Sequence, residues 1–117
     1  MSIHYEIKTD KSLVCIAFKG VLSADLIFSG IKAVLDDPLY ENNMAKLVDL
    51  REAKANSGLE VHLLHDALKN FREVKTKMAI VSEDAVTLAK SMIFLKNREG
   101  YNRVFSEYKN AEAWLLG

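Results

Sequence analysis

The chain has 117 residues, of which half are apolar and 27% are charged. This length supports one hydrophobic core, so we expect residues 1–117 to form a single domain. Sixteen basic residues balance sixteen acidic ones, and a net charge of zero argues against nucleic-acid binding, which needs a positive field. A single cysteine excludes an internal disulfide. With no signal-peptide pattern and no apolar run of ~20 residues, we expect a cytoplasmic protein, at most peripheral to a membrane.

Two strands are predicted at the start of the chain. Ile3, Tyr5 and Ile7 alternate with polar residues, which is typical of an edge strand with one face in water. The run LVCIAFKG, residues 13–20, is apolar on both faces and predicts a more central strand, with the small Cys15 thiol buried inside it. The short turn at 10–12 predicts an antiparallel hairpin.

A helix is predicted next. Ser23 can cap its first N–H groups, and Pro38 ends it because the residue before a proline avoids the helical region. Helical spacing assigns to the inner face Ala24, Ile27, Phe28, Ile31, Val34 and Leu35. Three apolar or small residues share the back face, which is typical of a dimer contact, a membrane-touching patch or the rim of an apolar pocket: Leu26, Gly30 and Ala33.

Strands and helices alternate over the rest of the chain. Strands are predicted over 45–51, 77–82 and 102–106, and helices after Ser57, over 84–97 and over 110–116. The last helix has Asn110 as its cap and Trp114 as an apolar anchor. This alternation predicts an α/β fold with a five-stranded mixed sheet and four helices.

The predicted crossovers also carry an expectation about the sheet faces. Right-handed connections between strands in sequence order place every helix on one side of the sheet. Because LVCIAF and MAIV are apolar on both faces, the other side would then need a cover from an extra segment or a second subunit.

This order of elements resembles the SpoIIAA-like family. The resemblance covers nearly the whole chain and rests on LVCIAFKGVLSADLI, DDPLYENNMAKLVDLREA, KMAIVSED and VFSEYKNAEAWL. It implies a βα superhelix with an antiparallel first strand. That fold is shared with the STAS domains of anti-sigma-factor antagonists and is related to Sec14-type lipid-binding domains.

The resemblance also implies a candidate phosphoacceptor, Ser57. In antagonists of the STAS type, a Leu-Asp-Leu strand leads to Asp-Ser-Ser-Gly-Leu, whose second serine starts a helix and is phosphorylated by the partner kinase. Here Ser57 matches that serine, although Ala-Asn precedes it and the loop is one residue shorter. Ser57 and Glu60 also form a capping box. Capping alone is therefore the first explanation, and a regulated phosphate is the alternative.

Three further residues are candidates for ligand or partner contacts. Arg51 is the last residue of a predicted strand, at the carboxyl edge of the sheet, where it could bind a carboxylate or phosphate; an ion pair with a nearby acid is the alternative. Phe94 lies opposite the inward stripe of its predicted helix and, like Leu26, offers an apolar contact. We expect His62 and His65 to face water, so neither a metal nor a cofactor is predicted.

The residues favour binding over catalysis. No Gly-rich phosphate loop and no supported Ser-His-Asp or Cys-His set occurs, so we expect no catalytic residues and no enzyme. The leading hypothesis is a regulatory or binding module that acts through protein contacts, including dimerisation, and holds a small apolar ligand. A lipid or membrane-surface carrier of the Sec14 kind is the first alternative, and an unrecognised enzyme is the second.

Overall fold

The computed structural model describes residues 2–54, 76–84 and 102–117. Its five strands are β1 (Ser2–Lys8), β2 (Leu13–Val21), β3 (Ala45–Lys54), β4 (Met78–Val81) and β5 (Asn102–Phe105). Two helices lie within the described residues, α1 (Ala24–Asp36) and α2 (Tyr108–Leu116). The helices predicted after Ser57 and within 84–97 fall on residues outside these ranges.

The five strands form one mixed sheet in sequence order. β1 is antiparallel to β2, with Ser2 opposite Lys19 and Lys8 opposite Leu13. The remaining neighbours pair in parallel. A short 3-10 turn, Thr9–Lys11, joins the first two strands. The predicted hairpin and the mixed sheet with an antiparallel first strand are therefore confirmed.

The sheet separates two hydrophobic cores, because successive side chains of a strand point to opposite faces. On the face we call the α1 face, Ile27, Ile31 and Val34 of α1 pack on residues of the inner strands, among them Val14, Ile16, Phe18, Val48, Leu50, Met78 and Ile80. On the opposite face, which we call the α2 face, Ala111 and Leu115 of α2 pack on Leu13, Leu47, Ala79 and Val81. β4 is thus buried on both faces, whereas Cys15 and Ala17 of β2 are only half-buried on the α2 face.

The expectation that every helix lies on one side of the sheet is wrong for α2. The handedness rule constrains a helix only when it connects two parallel strands. α2 follows the last strand of the sheet, so it is free to fold back over the other face. Ala111 and Leu115 are accordingly 0% and 7% exposed. This helix supplies, within the same chain, a cover that the sequence analysis sought in an extra segment or a second subunit.

Two expectations about α1 are corrected by its packing. Ile27, Ile31 and Val34 are buried as predicted, but Phe28 is 46% exposed because it lies about 100° around the helix from Ile27. Gly30 is buried rather than exposed on the back face. A Cβ atom placed on it would lie 3.0 Å from Cγ2 of Ile3, so this flank of α1 packs closely on β1.

The predicted helix caps are also corrected. Ser23 occupies the N-cap position of α1, but its side chain makes no capping hydrogen bond. α2 begins at Tyr108 with Glu107 as its N-cap residue, so Asn110 lies inside the helix. The earlier start lets the buried Ala111 donate its N–H to the Glu107 carbonyl at 3.2 Å, while the Asn110 amide donates to the Glu107 carboxylate at 3.2 Å.

Candidate functional site

A cleft opens on the α2 face where α2 leaves the sheet uncovered. The helix packs on β3, β4 and β5, and a cavity of about 260 Å³ lies beside it over β1 and β2. Side chains that line it are those of His4, Glu6, Cys15, Ala17, Asp49 and Tyr108. Tyr5 and Ile16 also line it, through their backbone, because strand alternation turns their side chains to the α1 face. We call this cavity the sheet cleft.

The strand register explains the shape of the sheet cleft. Cys15 and Ala17 of β2 stand opposite Glu6 and His4 of β1. The two β2 residues are small and form a low floor, whereas His4 and Glu6 are exposed and form the outer rim. The first residue of α2, Tyr108, stands on the inner side as a wall.

The wall and the floor are joined by a hydrogen bond. The Tyr108 hydroxyl donates to Sγ of Cys15 at 3.6 Å. Burial, and to a lesser degree this bond, raises the pKa of Tyr108. Burial also raises the pKa of the Cys15 thiol, although Tyr108 and Lys8 act in the opposite direction. Both groups are therefore protonated near neutral pH, and Cys15 lacks the thiolate that makes a cysteine nucleophilic.

Arg51 and Asp49 fix the inner wall of the cleft. Nε and Nη2 of Arg51 donate to the two carboxylate oxygens of Asp49 at 3.0 and 2.9 Å, and the Arg51 backbone N–H donates to the first of them at 3.0 Å. The guanidinium carbon lies 4.8 Å from the centre of the Tyr108 ring. This bidentate ion pair is the arrangement expected from the sequence as the alternative role of Arg51. The guanidinium group packs on the Tyr108 ring and holds it in place.

Two of the predicted contact residues lie on opposite sides of the sheet. Arg51 lies beside the sheet cleft, whereas Leu26, 42% exposed, lies on α1 and therefore on the other side of the sheet. Ser57 and Phe94 lie outside the described residues. Their roles, like those of Arg51 and Leu26 as contacts, stay predictions.

None of the six side chains that line the cleft was assigned a site role from the sequence, among them His4, Glu6 and Tyr108. A signal for the first two was present, since the period of two in β1 puts them on one face opposite Ala17 and Cys15. Tyr108 had no such signal, because its position depends on which face of the sheet α2 covers.

Two further properties of the described residues bear on the class of site. Within 2–54, 76–84 and 102–117, no cluster of three or more His, Cys, Asp or Glu residues could hold a metal ion. In the same ranges, neither helix has the length and apolar character needed to cross a bilayer.

The sheet order and its antiparallel first strand define an α/β protein of SpoIIAA-like fold. A solved structure similar to this chain is an uncharacterized protein of the DUF3478 family with a SpoIIAA-like fold, from Shewanella loihica PV-4. It matches with a TM-score of 0.66 and 19% identity, over 97% of this chain and 92% of the other. No protein-family model matches the sequence, and no curated protein matches it. The likeness confirms the predicted fold, and a function has to be argued from the site.

Proposed function

We propose that this protein is a non-catalytic binding module whose sheet cleft holds a small amphipathic molecule, and that it exerts its effect through protein contacts. The observation that carries the proposal is the cleft itself. It has a low apolar floor and a polar rim, and it lies on a hydrogen-bonded sheet that fixes its shape. Concave sites of this kind are the usual places where proteins bind small molecules.

The state of the ionisable groups in the cleft supports binding over catalysis. Burial keeps the Cys15 thiol and the Tyr108 hydroxyl protonated by raising both pKa values. The Asp49 carboxylate accepts three hydrogen bonds from Arg51. A general base or nucleophile needs a pKa near the working pH and an open position for the substrate. The thiol and the hydroxyl have pKa values raised away from neutrality, and the hydrogen bonds from Arg51 occupy the carboxylate oxygens of Asp49.

The dimensions of the cleft indicate the kind of ligand. Its volume of about 260 Å³ lies just below the range of roughly 300–1,000 Å³ for ligand pockets. A bicyclic aromatic molecule or something smaller is therefore the expected size. The apolar body of such a molecule would lie on Cys15 and Ala17, and its polar group would reach His4 or Glu6 at the rim.

Blocking the floor of the cleft tests the proposal. We expect indole, tryptamine or indole-3-acetate to give saturation-transfer NMR signals with the wild-type protein. Ala17→Phe should reduce these signals several-fold, because the new ring fills the cleft. Ala33→Phe is the matched control, since Ala33 is exposed on α1 on the other side of the sheet, and it should leave the signals unchanged.

Three other results would contradict the proposal. Absence of signal for all three probes, or equal signals in wild type and in a folded Ala17→Phe variant, contradicts a ligand site in the cleft. The exposure of Leu26 favours a second candidate, the lipid carrier. Co-sedimentation with phosphatidylglycerol vesicles that is lost in Leu26→Glu and kept in Ala17→Phe would replace the proposed function with that one.

A further inference from the structure

The outer edge of β1 is long and regular. β1 is the first strand in the sheet order and has seven residues, against four in the other edge strand, β5. All seven pair with β2 without a register shift. Natural edge strands are commonly protected by a proline, a bulge or a central lysine. β1 has none of these, since its one lysine, Lys8, is its last residue. Within the described residues no other strand pairs with this edge.

We propose that β1 pairs with β1 of a second copy of this chain, around a two-fold axis through Tyr5. This inference goes beyond the proposed function and does not depend on it. Two antiparallel β1 strands would join two five-stranded sheets into one continuous sheet. The contact is isologous, so each copy uses the same residues and the assembly closes as a dimer.

The register follows from the pattern of side chains on β1. Centred on Tyr5, the pairing places His4 opposite Glu6 of the second copy, and by symmetry Glu6 opposite His4. It also places Ile3 opposite Ile7, and Ser2 opposite Lys8. Apolar pairs, hydrogen-bonding pairs and pairs of opposite charge stabilise antiparallel neighbours. Every polar pair in this register is compatible, and all seven residues have a partner.

The competing registers are less favourable. Residues opposite each other in an antiparallel pair must both turn their N–H and C=O groups toward the partner or both turn them away. The centre can therefore move only by whole residues, to His4 or to Glu6. Centring on Glu6 places the two Glu6 carboxylates opposite each other, which repel, and pairs each Lys8 with His4, so that no lysine faces an acid. Centring on His4 places the two His4 side chains opposite each other and leaves Lys8 with no residue of the second copy opposite it. Charge complementarity thus selects the Tyr5 register.

The dimer would bring the two sheet clefts together. His4 and Glu6 form the outer rim of each cleft, and in the proposed register their side chains meet those of the second copy on the same face. The rim then becomes the middle of one groove, whose floor runs over two copies each of β1 and β2. Four strands spaced about 4.7–4.9 Å apart give a floor roughly 14 Å wide.

A charge-swap experiment tests the interface without any ligand. We expect the wild-type protein to self-associate in sedimentation velocity at micromolar concentrations, since a contact of one strand is small. His4→Glu should raise the dimer Kd at least tenfold, because it opposes two glutamates. Glu6→Lys should also weaken the dimer, because it replaces the His–Glu pair with His–Lys.

A double variant and a mixture of the two single variants identify the register. The double variant His4→Glu/Glu6→Lys should dimerise again, because both pairs between positions 4 and 6 then join a glutamate to a lysine. An equimolar mixture of the two single variants should form a heterodimer, because each of these pairs then joins a glutamate to a lysine or a histidine. Lys109→Glu, at an exposed position of α2, is the control and should behave as wild type.

The proposal is overturned by a wild-type protein that stays monomeric at high micromolar concentration. It is also overturned if the double variant remains as weak as the single ones. Either result leaves the sheet cleft untouched, because the NMR experiment on Ala17→Phe reports on the cleft of a single copy.

Discussion

Lys46 combines complete burial with a charged side chain. It lies on the α1 face of β3 and is 0% exposed. Its ammonium group donates to the Asn42 carbonyl at 2.7 Å and to the Thr76 hydroxyl at 3.0 Å, and it lies 5.7 Å from the centre of the Tyr40 ring. Burial lowers its pKa from 10.5 to about 8, because removing water disfavours the charged form more than these contacts favour it.

This pKa predicts a stability that rises with pH. Between pH 8 and 10.5 the unfolded chain binds more protons at Lys46 than the folded chain does, so the free energy of unfolding increases across that window. The contribution of Lys46 should rise by about 2 kcal/mol between roughly pH 7 and pH 9.5. Urea unfolding of wild type and Lys46→Met at both pH values measures this contribution. The difference between their free energies of unfolding should change by that amount, because the other titratable groups are the same in both proteins and cancel.

An exposed lysine provides the control for this prediction. The difference between wild type and Lys109→Met should stay constant over the same pH range, because Lys109 is exposed on α2. If the difference in free energy of unfolding between wild type and Lys46→Met is also independent of pH, the buried amine titrates as it does in water.

Among the elements, α1 and β1 are joined by a contact that depends on a glycine. Gly30→Ala should destabilise the protein by up to about 2 kcal/mol, because the added methyl group meets the Ile3 side chain and the cost of overpacking exceeds a gain of about 1 kcal/mol in helix propensity. In an Ile3→Ala background the same substitution should become neutral or stabilising. Urea unfolding of the four proteins, a double-mutant cycle, measures the coupling.

Ser29→Ala, at an exposed position of the same helix, separates propensity from packing. It should change stability by only a few tenths of a kcal/mol. If Gly30→Ala stabilises the protein in both backgrounds, the close contact with Ile3 is absent.

The elements also show what a sequence can and cannot predict. The strands and α1 follow from local periodicity, because a period of two or the spacing of a helix is written in adjacent residues. The burial of Gly30 and the side of the sheet that α2 covers depend on contacts distant in sequence. The site divides in the same way. Arg51 was found because the sequence placed it at the end of a predicted strand, although β3 continues to Lys54. Tyr108 became a site residue only through the docking of α2.

For the whole molecule, the important feature is that one sheet serves both cores. Leu47 and Val48 are neighbours in β3, yet the first belongs to the α2 core and the second to the α1 core. Ala79 and Ile80 divide in the same way in β4. A strand that shifts to relax one core must disturb the other, so the two layers should unfold together as one cooperative unit.

Two adjacent leucines of α2 test this cooperativity. Leu115 is 7% exposed in the α2 core and Leu116 is 46% exposed. Leu115→Ala should therefore cost about 2–4 kcal/mol, and Leu116→Ala less than about 1 kcal/mol.

Trp114 is the single tryptophan of the chain, so its fluorescence reports on α2, while far-UV circular dichroism reports on the whole fold. In Leu115→Ala both transitions should move to lower urea by the same amount. A fluorescence transition that moves alone would show instead that α2 unfolds from an otherwise intact sheet, and that the α1 core is stable without it.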